Sequence, residues 1–93
     1  MNTDGRHTRI PPGVAWCVET PGLLLVRRDT GTRRLLPYPD AALWELLGRG
    51  EPQDRVTRMM AAIAGITTPA AETWIAKTLD RWVREGWLEE QHG

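Results

Sequence analysis

The chain has 93 residues, a formal net charge of zero and a single cysteine, so we expect one domain and exclude an internal disulfide framework and a cysteine-rich zinc site. The sequence contains no apolar run of about 18 residues and no signal-like N-terminus, which predicts a cytoplasmic protein without a membrane segment. The balanced charge argues against nucleic acid as the main partner, because domains that bind it usually carry a basic excess.

The first third of the chain is predicted to form an arm and three antiparallel strands. Residues 1 to 13 are polar, show no periodicity and contain Pro11-Pro12-Gly13, as expected for a flexible N-terminal arm. Turn residues then separate three largely apolar stretches, which we predict as strands. These strands are Val14 to Glu19, Leu23 to Arg28 and Arg33 to Leu36. Because three strands alone are marginally stable, the sheet needs a helical layer over one face.

Two helices are predicted directly after the sheet. The first begins at Pro39, which suits the first helical position, and ends near Gly48. The second begins near Pro52 and ends at Gly65. Apolar residues recur at helical spacing in both and predict their buried faces. These residues are Leu43, Trp44, Leu46 and Leu47 in the first helix, and Val56, Met59, Met60 and Ile63 in the second.

A third helix carries the clearest end signals. Thr68 is expected to be its N-cap, with Pro69 at the first helical position. At the other end Gly86 is expected to adopt the left-handed conformation of a Schellman motif, which places Trp87 over Trp82. Its core stripe consists of Ala71, Ile75, Leu79, Trp82 and Val83. The folded domain is therefore expected to span residues 14 to 90.

The sequence offers no set of side chains for catalysis. It contains no serine, and its two histidines, His7 and His92, lie near the chain ends. Cys17 lies in a predicted strand, where a packing role is expected and no histidine is at hand to activate the thiol. We therefore predict a binding module rather than an enzyme, with no catalytic residue, no metal site and no cofactor.

The order of elements and several stretches resemble the PqqD family, small domains that recognise the leader segments of ribosomally made, post-translationally modified peptides. The stretches are Gly22-Leu23-Leu24-Leu25, Asp29-Thr30-Gly31, LLPYPDAALWELL and LDRWVREGWLEE. One departure is Tyr38, because many relatives have an asparagine ahead of this proline. The resemblance implies an α+β fold, a winged helix-turn-helix variant in which a three-stranded antiparallel sheet precedes three helices.

The resemblance also implies that a leader peptide adds as an antiparallel strand beside the third strand, in the groove between that strand and the third helix. An edge strand favours this mode, since it offers unpaired N–H and C=O groups. Pro37 ends the usable edge, because proline donates no ladder hydrogen bond. Alternation places Arg34 and Leu36 on one face and Arg33 and Leu35 on the other, without deciding which face is buried.

A basic stripe on the third helix extends this predicted site. Lys77, Arg81 and Arg84 follow helical spacing, and Trp74 lies on the same flank. With the two arginines of the third strand, the stripe would form a basic groove with an apolar floor for an acidic, amphipathic leader. The alternative is a solvated helix face, because acidic residues lie nearby. The predicted peptide-binding residues are Arg33, Arg34, Leu35, Leu36, Trp74, Lys77, Thr78, Arg81 and Arg84.

The predicted function is that of an adaptor that presents a precursor peptide to a modifying enzyme, such as a radical SAM protein or a protease, at high effective concentration. Two rival functions fit the same pattern: a winged-helix DNA-binding regulator with the third helix as its recognition element, and a structural subunit of a larger enzyme. Zero net charge and the placement of all strands before all helices weigh against the regulator. The pattern identifies neither the peptide, the enzyme, the product nor the oligomeric state.

Overall fold

A computed structural model describes residues 8 to 90 of the chain. The strands are β1 (Thr8–Arg9), β2 (Val14–Glu19), β3 (Gly22–Arg27), β4 (Arg33–Pro37) and β5 (Glu89–Glu90). The helices are α1 (Asp40–Gly48), α2 (Gln53–Ala64) and α3 (Thr68–Arg84). The predicted α+β order, a three-stranded antiparallel sheet followed by three helices, is confirmed. No helix within the described range is long and apolar enough to cross a membrane.

The central sheet has the strand order β2-β3-β4, and both pairs are antiparallel. Leu23 lies opposite Leu36, and Leu25 lies opposite Arg34. Leu23, Leu25 and Leu36 are fully buried against the helical layer, whereas Leu35 is 51% exposed. Arg34 and Leu36 therefore face the helices and Arg33 and Leu35 face away, which decides the question that strand alternation left open.

The core is organised around tryptophan rings. Trp44 of α1 and Trp82 of α3 are both fully buried, and their rings meet edge to face with centroids 5.4 Å apart. Trp16 of β2 meets Trp44 in the same way at 5.9 Å but remains 39% exposed. Edge-to-face contacts add to the hydrophobic gain of burial. One row of rings thus ties the edge strand β2, the first helix and the third helix into a single core.

Two positions with a predicted packing role, Ile63 and Cys17, are exposed. Ile63 at the end of α2 is 52% exposed rather than buried, whereas Val83 is partly buried and packs against the core. Cys17 is exposed, because it lies opposite Leu24 on the sheet face that the helices leave uncovered. Helical or strand spacing alone did not reveal which face of these elements would be covered.

The helix ends differ from the prediction at their N-termini. Pro39 occupies the N-cap of α1 instead of its first helical position, and makes no side-chain cap. In α3 the N-cap is Thr67, whose hydroxyl oxygen accepts a hydrogen bond from the Ala70 N–H at 3.2 Å. At the C-terminus the Schellman motif is confirmed: Gly86 has φ +84°, and the Trp87 N–H donates to the Trp82 carbonyl at 2.9 Å.

The ends of the described chain form a second, two-stranded sheet. Thr8 pairs with Glu90 and Arg9 with Glu89, and the Arg9 and Glu89 side chains form an ion pair at 3.2 Å. Part of the segment expected to be a flexible arm is therefore a strand. Residues 1 to 7 and 91 to 93, which include both histidines, lie outside the described residues.

The cap of α3 supports a first prediction. We expect Thr67→Ala to lower the free energy of unfolding by about 1 kcal/mol, because it leaves the Ala70 N–H without its acceptor. The matched control is Thr68→Ala, which removes an exposed threonine next to the cap and should change stability by less than about 0.5 kcal/mol. Urea denaturation measures both, and a larger loss for the control would contradict the assignment of the cap.

A second prediction concerns the approach of β3 to β4. A Cβ placed on Gly22 would lie 2.1 Å from the Leu36 carbonyl oxygen, so the strands must move apart to accept one. We expect Gly22→Ala to lower the free energy of unfolding by about 1–3 kcal/mol. Gly13→Ala is the control, since no atom outside Gly13 and its two chain neighbours lies within 4 Å of its Cβ position. Equal stability of the two variants in the same denaturation assay would show that the strands are not so closely packed.

Candidate functional site

The open edge of β4 presents backbone groups at alternate residues. The Arg27 N–H donates to the Thr32 carbonyl at 2.8 Å, so this pair is a hydrogen-bonded pair of the β3–β4 ladder. Such pairs alternate along an antiparallel ladder, so Arg34 and Leu36 direct their backbone groups toward β3. Arg33 and Leu35 direct theirs away from the sheet, where no described strand pairs with them. Two N–H and two C=O groups are therefore available at this edge before Pro37 ends it.

One flank of α3 faces β4 and the start of α1. Arg34 of β4 forms an ion pair with Glu85, the C-cap residue of α3. Arg81 of α3 forms another with Asp40, the first residue of α1, at 3.1 Å. We call the surface that contains these four side chains and the open edge of β4 the β4–α3 surface. The two pairs show that its positive charges are largely matched by acidic groups of the chain itself.

Glu85 is held by a second arginine as well. Arg27 of β3 donates through Nη2 to the Glu85 carbonyl oxygen at 3.0 Å, and its guanidinium lies over the Trp87 ring, 4.9 Å from the centroid. A cation at a helix C-terminus is favourable, because the last carbonyls carry partial negative charge. The end of α3 is thus attached to the sheet by a backbone contact that does not depend on the Glu85 carboxylate.

The predicted site residues fall into three groups. Arg33, Leu35, Lys77 and Arg84 are exposed, and Trp74 is half-buried. Arg34 and Arg81 are partly exposed and ion-paired. Leu36 and Thr78 are enclosed: Thr78 is 1% exposed, and its hydroxyl donates to the Trp74 carbonyl at 2.8 Å. Neither of these two side chains has surface to offer a ligand, so the suggested contact of a peptide with Thr78 needs correction.

The site residues predicted from the sequence did not include two acidic residues, Asp40 and Glu85, which the structure places in the site. The spacing of Arg81 and Glu85 favours an ion pair within α3, yet Arg81 pairs with Asp40 and Glu85 pairs with Arg34.

The Nε of Arg81 is buried without an acceptor in the described part of the chain. An unpaired buried donor is unfavourable. The Arg81–Asp40 pair therefore uses only part of the donor capacity of the guanidinium group.

Comparison with known proteins gives a structural match only. No family model matches the chain, and no curated protein matches it. Among solved structures it is similar to TbiB1 in complex with the TbiA(beta) leader peptide, with a TM-score of 0.81 and 20% sequence identity. The match covers 91% of this chain and 99% of the TbiB1 chain. The two proteins therefore share a fold over nearly their whole described length.

The Arg34–Glu85 pair supports a third prediction. Both side chains are about a third exposed, so solvent screens their attraction. A double-mutant cycle with Arg34→Ala and Glu85→Ala should give a coupling of roughly 0.3–1 kcal/mol in the free energy of unfolding. The control cycle uses Arg58 and Asp54, whose groups are 3.7 Å apart and far more exposed. Its coupling should be near zero, and a larger coupling there than at Arg34 would refute the predicted order.

Proposed function

We propose that this domain is a PqqD-like adaptor that binds the leader segment of a precursor peptide as an additional strand along β4. The observation that carries the proposal is the open edge of β4, where the N–H and C=O groups of Arg33 and Leu35 are directed away from the sheet. Arg34 of the same strand contacts Glu85 at the end of α3. The similarity to TbiB1, which was solved in complex with a leader peptide, supports the proposal. β-augmentation is a general mode of peptide recognition at such edges.

Backbone pairing at this edge provides limited affinity. Four hydrogen bonds at Arg33 and Leu35, each contributing about 0.5–1.5 kcal/mol net, offset only part of the entropy lost on binding. Side-chain contacts must therefore supply the rest of the affinity and all of the selectivity. The exposed groups at hand are the Leu35 side chain, the positive charges of Arg33, Lys77 and Arg84, and the half-buried Trp74 ring.

These groups favour an acidic peptide with apolar residues at intervals. Positive groups exposed near the edge attract carboxylates and speed association. Trp74 and Leu35 provide apolar surface for anchoring side chains. A peptide of this kind, held by its leader, would bring its core segment to a modifying enzyme, such as a radical SAM protein or a protease, at raised effective concentration. In this proposal the domain acts in the cytoplasm and performs no chemistry itself.

The edge is tested by a proline substitution. Because the Leu35 N–H is directed away from β3, proline at this position removes no hydrogen bond of the sheet and is tolerated in an edge strand. Leu35→Pro should retain the fold, as measured by circular dichroism and thermal melting. It should weaken peptide binding by about tenfold or more, because it deletes one donor and its ring obstructs the approaching strand.

The probe is a peptide enriched from a random-sequence display library on the immobilised chain, and fluorescence anisotropy measures its affinity. Leu35→Ala is the matched control, since it removes the side chain and keeps the N–H. The proposal fails if Leu35→Pro binds the peptide as well as the unmodified chain does. It also fails if no peptide is enriched, and steeply salt-dependent binding of duplex DNA would then favour the regulator.

A further inference from the structure

We infer that Glu85 is an internal competitor for the ligand: it occupies Arg34 in the free protein, and a bound peptide replaces it with an acidic side chain of its own. The inference rests on the proposed function, because it assumes that a peptide strand adds beside β4. It goes further by assigning a role to Glu85 and by specifying a pattern in the peptide. The relevant contacts are those of Arg34, Glu85 and Arg27.

The register of the edge specifies the pattern. The added strand would form hydrogen-bonded pairs at Arg33 and Leu35, so the peptide residues facing Arg34 and Leu36 occupy non-hydrogen-bonded positions, where side chains approach most closely. Arg34 and Leu36 lie on the helix-facing side of the sheet, so these two peptide side chains project toward α3. In an antiparallel strand the residue facing Leu36 precedes the residue facing Arg34 by two. The favoured peptide therefore carries an acidic residue at the position facing Arg34.

A carboxylate of the bound peptide would reach an Arg34 guanidinium that is already paired with Glu85. The Glu85 carboxylate already bonds to the Arg34 guanidinium, and two carboxylates beside one arginine repel each other. Binding of an acidic residue at this position therefore displaces Glu85 into solvent. Since one carboxylate replaces another on the same guanidinium, the exchange gains little net attraction. Glu85 thereby lowers the affinity for the acidic peptide below the value that a free Arg34 would give.

The Glu85 side chain can move away from Arg34 without disturbing the fold. Its side chain is about a third exposed, and it lies at the C-cap of α3, where the helix dipole disfavours a negative charge. Its carbonyl remains bonded to Arg27 at 3.0 Å, so the helix end stays attached to the sheet. Asp40 contrasts with it, because its carboxylate lies in the first turn of α1, where the dipole favours it. We therefore assign the exchange to Glu85 and not to Asp40.

The test compares Glu85→Gln with Glu89→Gln. Both remove one negative charge, but Glu89 pairs with Arg9 in the two-stranded sheet of the chain ends. The probes are a library-selected peptide that binds through the Leu35 edge, and versions of it in which each acidic residue in turn is replaced by glutamine. We expect Glu85→Gln to tighten binding of the acidic peptide by roughly threefold to tenfold, and Glu89→Gln to leave it within about twofold.

The coupling should be confined to one acidic residue of the peptide. Glutamine at that residue should abolish the gain from Glu85→Gln. Unchanged or weaker binding of the acidic peptide by Glu85→Gln would overturn the inference, while loss of binding in Leu35→Pro would leave the proposed function intact. Equal binding by Leu35→Pro and the unmodified chain would instead overturn the proposed function, and the inference with it.

Discussion

The attachment of the α3 C-terminus to the sheet is the constraint on which the rest of the structure depends. The Arg27 side chain of β3 donates to the Glu85 carbonyl oxygen and lies over the Trp87 ring, and Gly86 makes the turn between these two residues. Because α3 is held at this end, its flank lies beside the open edge of β4. The same contacts bring Trp82 of α3 against Trp44 of α1, so the position of the candidate site and the packing of the core are set together.

Much of the fold follows from residues that favour turns or the ends of helices. Turn residues separate the strands, and glycine with φ +84° at Gly86 ends α3 as predicted. The error at the start of α3 arose because two adjacent threonines can both cap, and only the position of the helix decides between them. The sheet of the chain ends was not predicted, since strands of two residues carry no periodic signal.

The position of the candidate site could be predicted from the sequence, but the ion-pair partners of its arginines could not. The edge strand, its end at Pro37 and the basic flank of α3 all follow from residue type and spacing. The partners of the arginines do not, because Glu85 is 51 positions from Arg34 and Asp40 is 41 positions from Arg81 along the chain. Tertiary placement of α3 decides these pairs, and it also encloses Thr78, which had been predicted to contact the peptide.

The shortness of the β4 edge has a consequence for how long a complex lasts. Only Arg33 and Leu35 offer both backbone groups on the open side, and Pro37 prevents any extension of the ladder. Differences in affinity among related complexes reside mostly in their dissociation rates, so a peptide strand added here as proposed would dissociate faster than one paired along a longer edge. Under the proposed function, such an edge would suit repeated cycles of loading and release, in which the partner is handed on rather than retained.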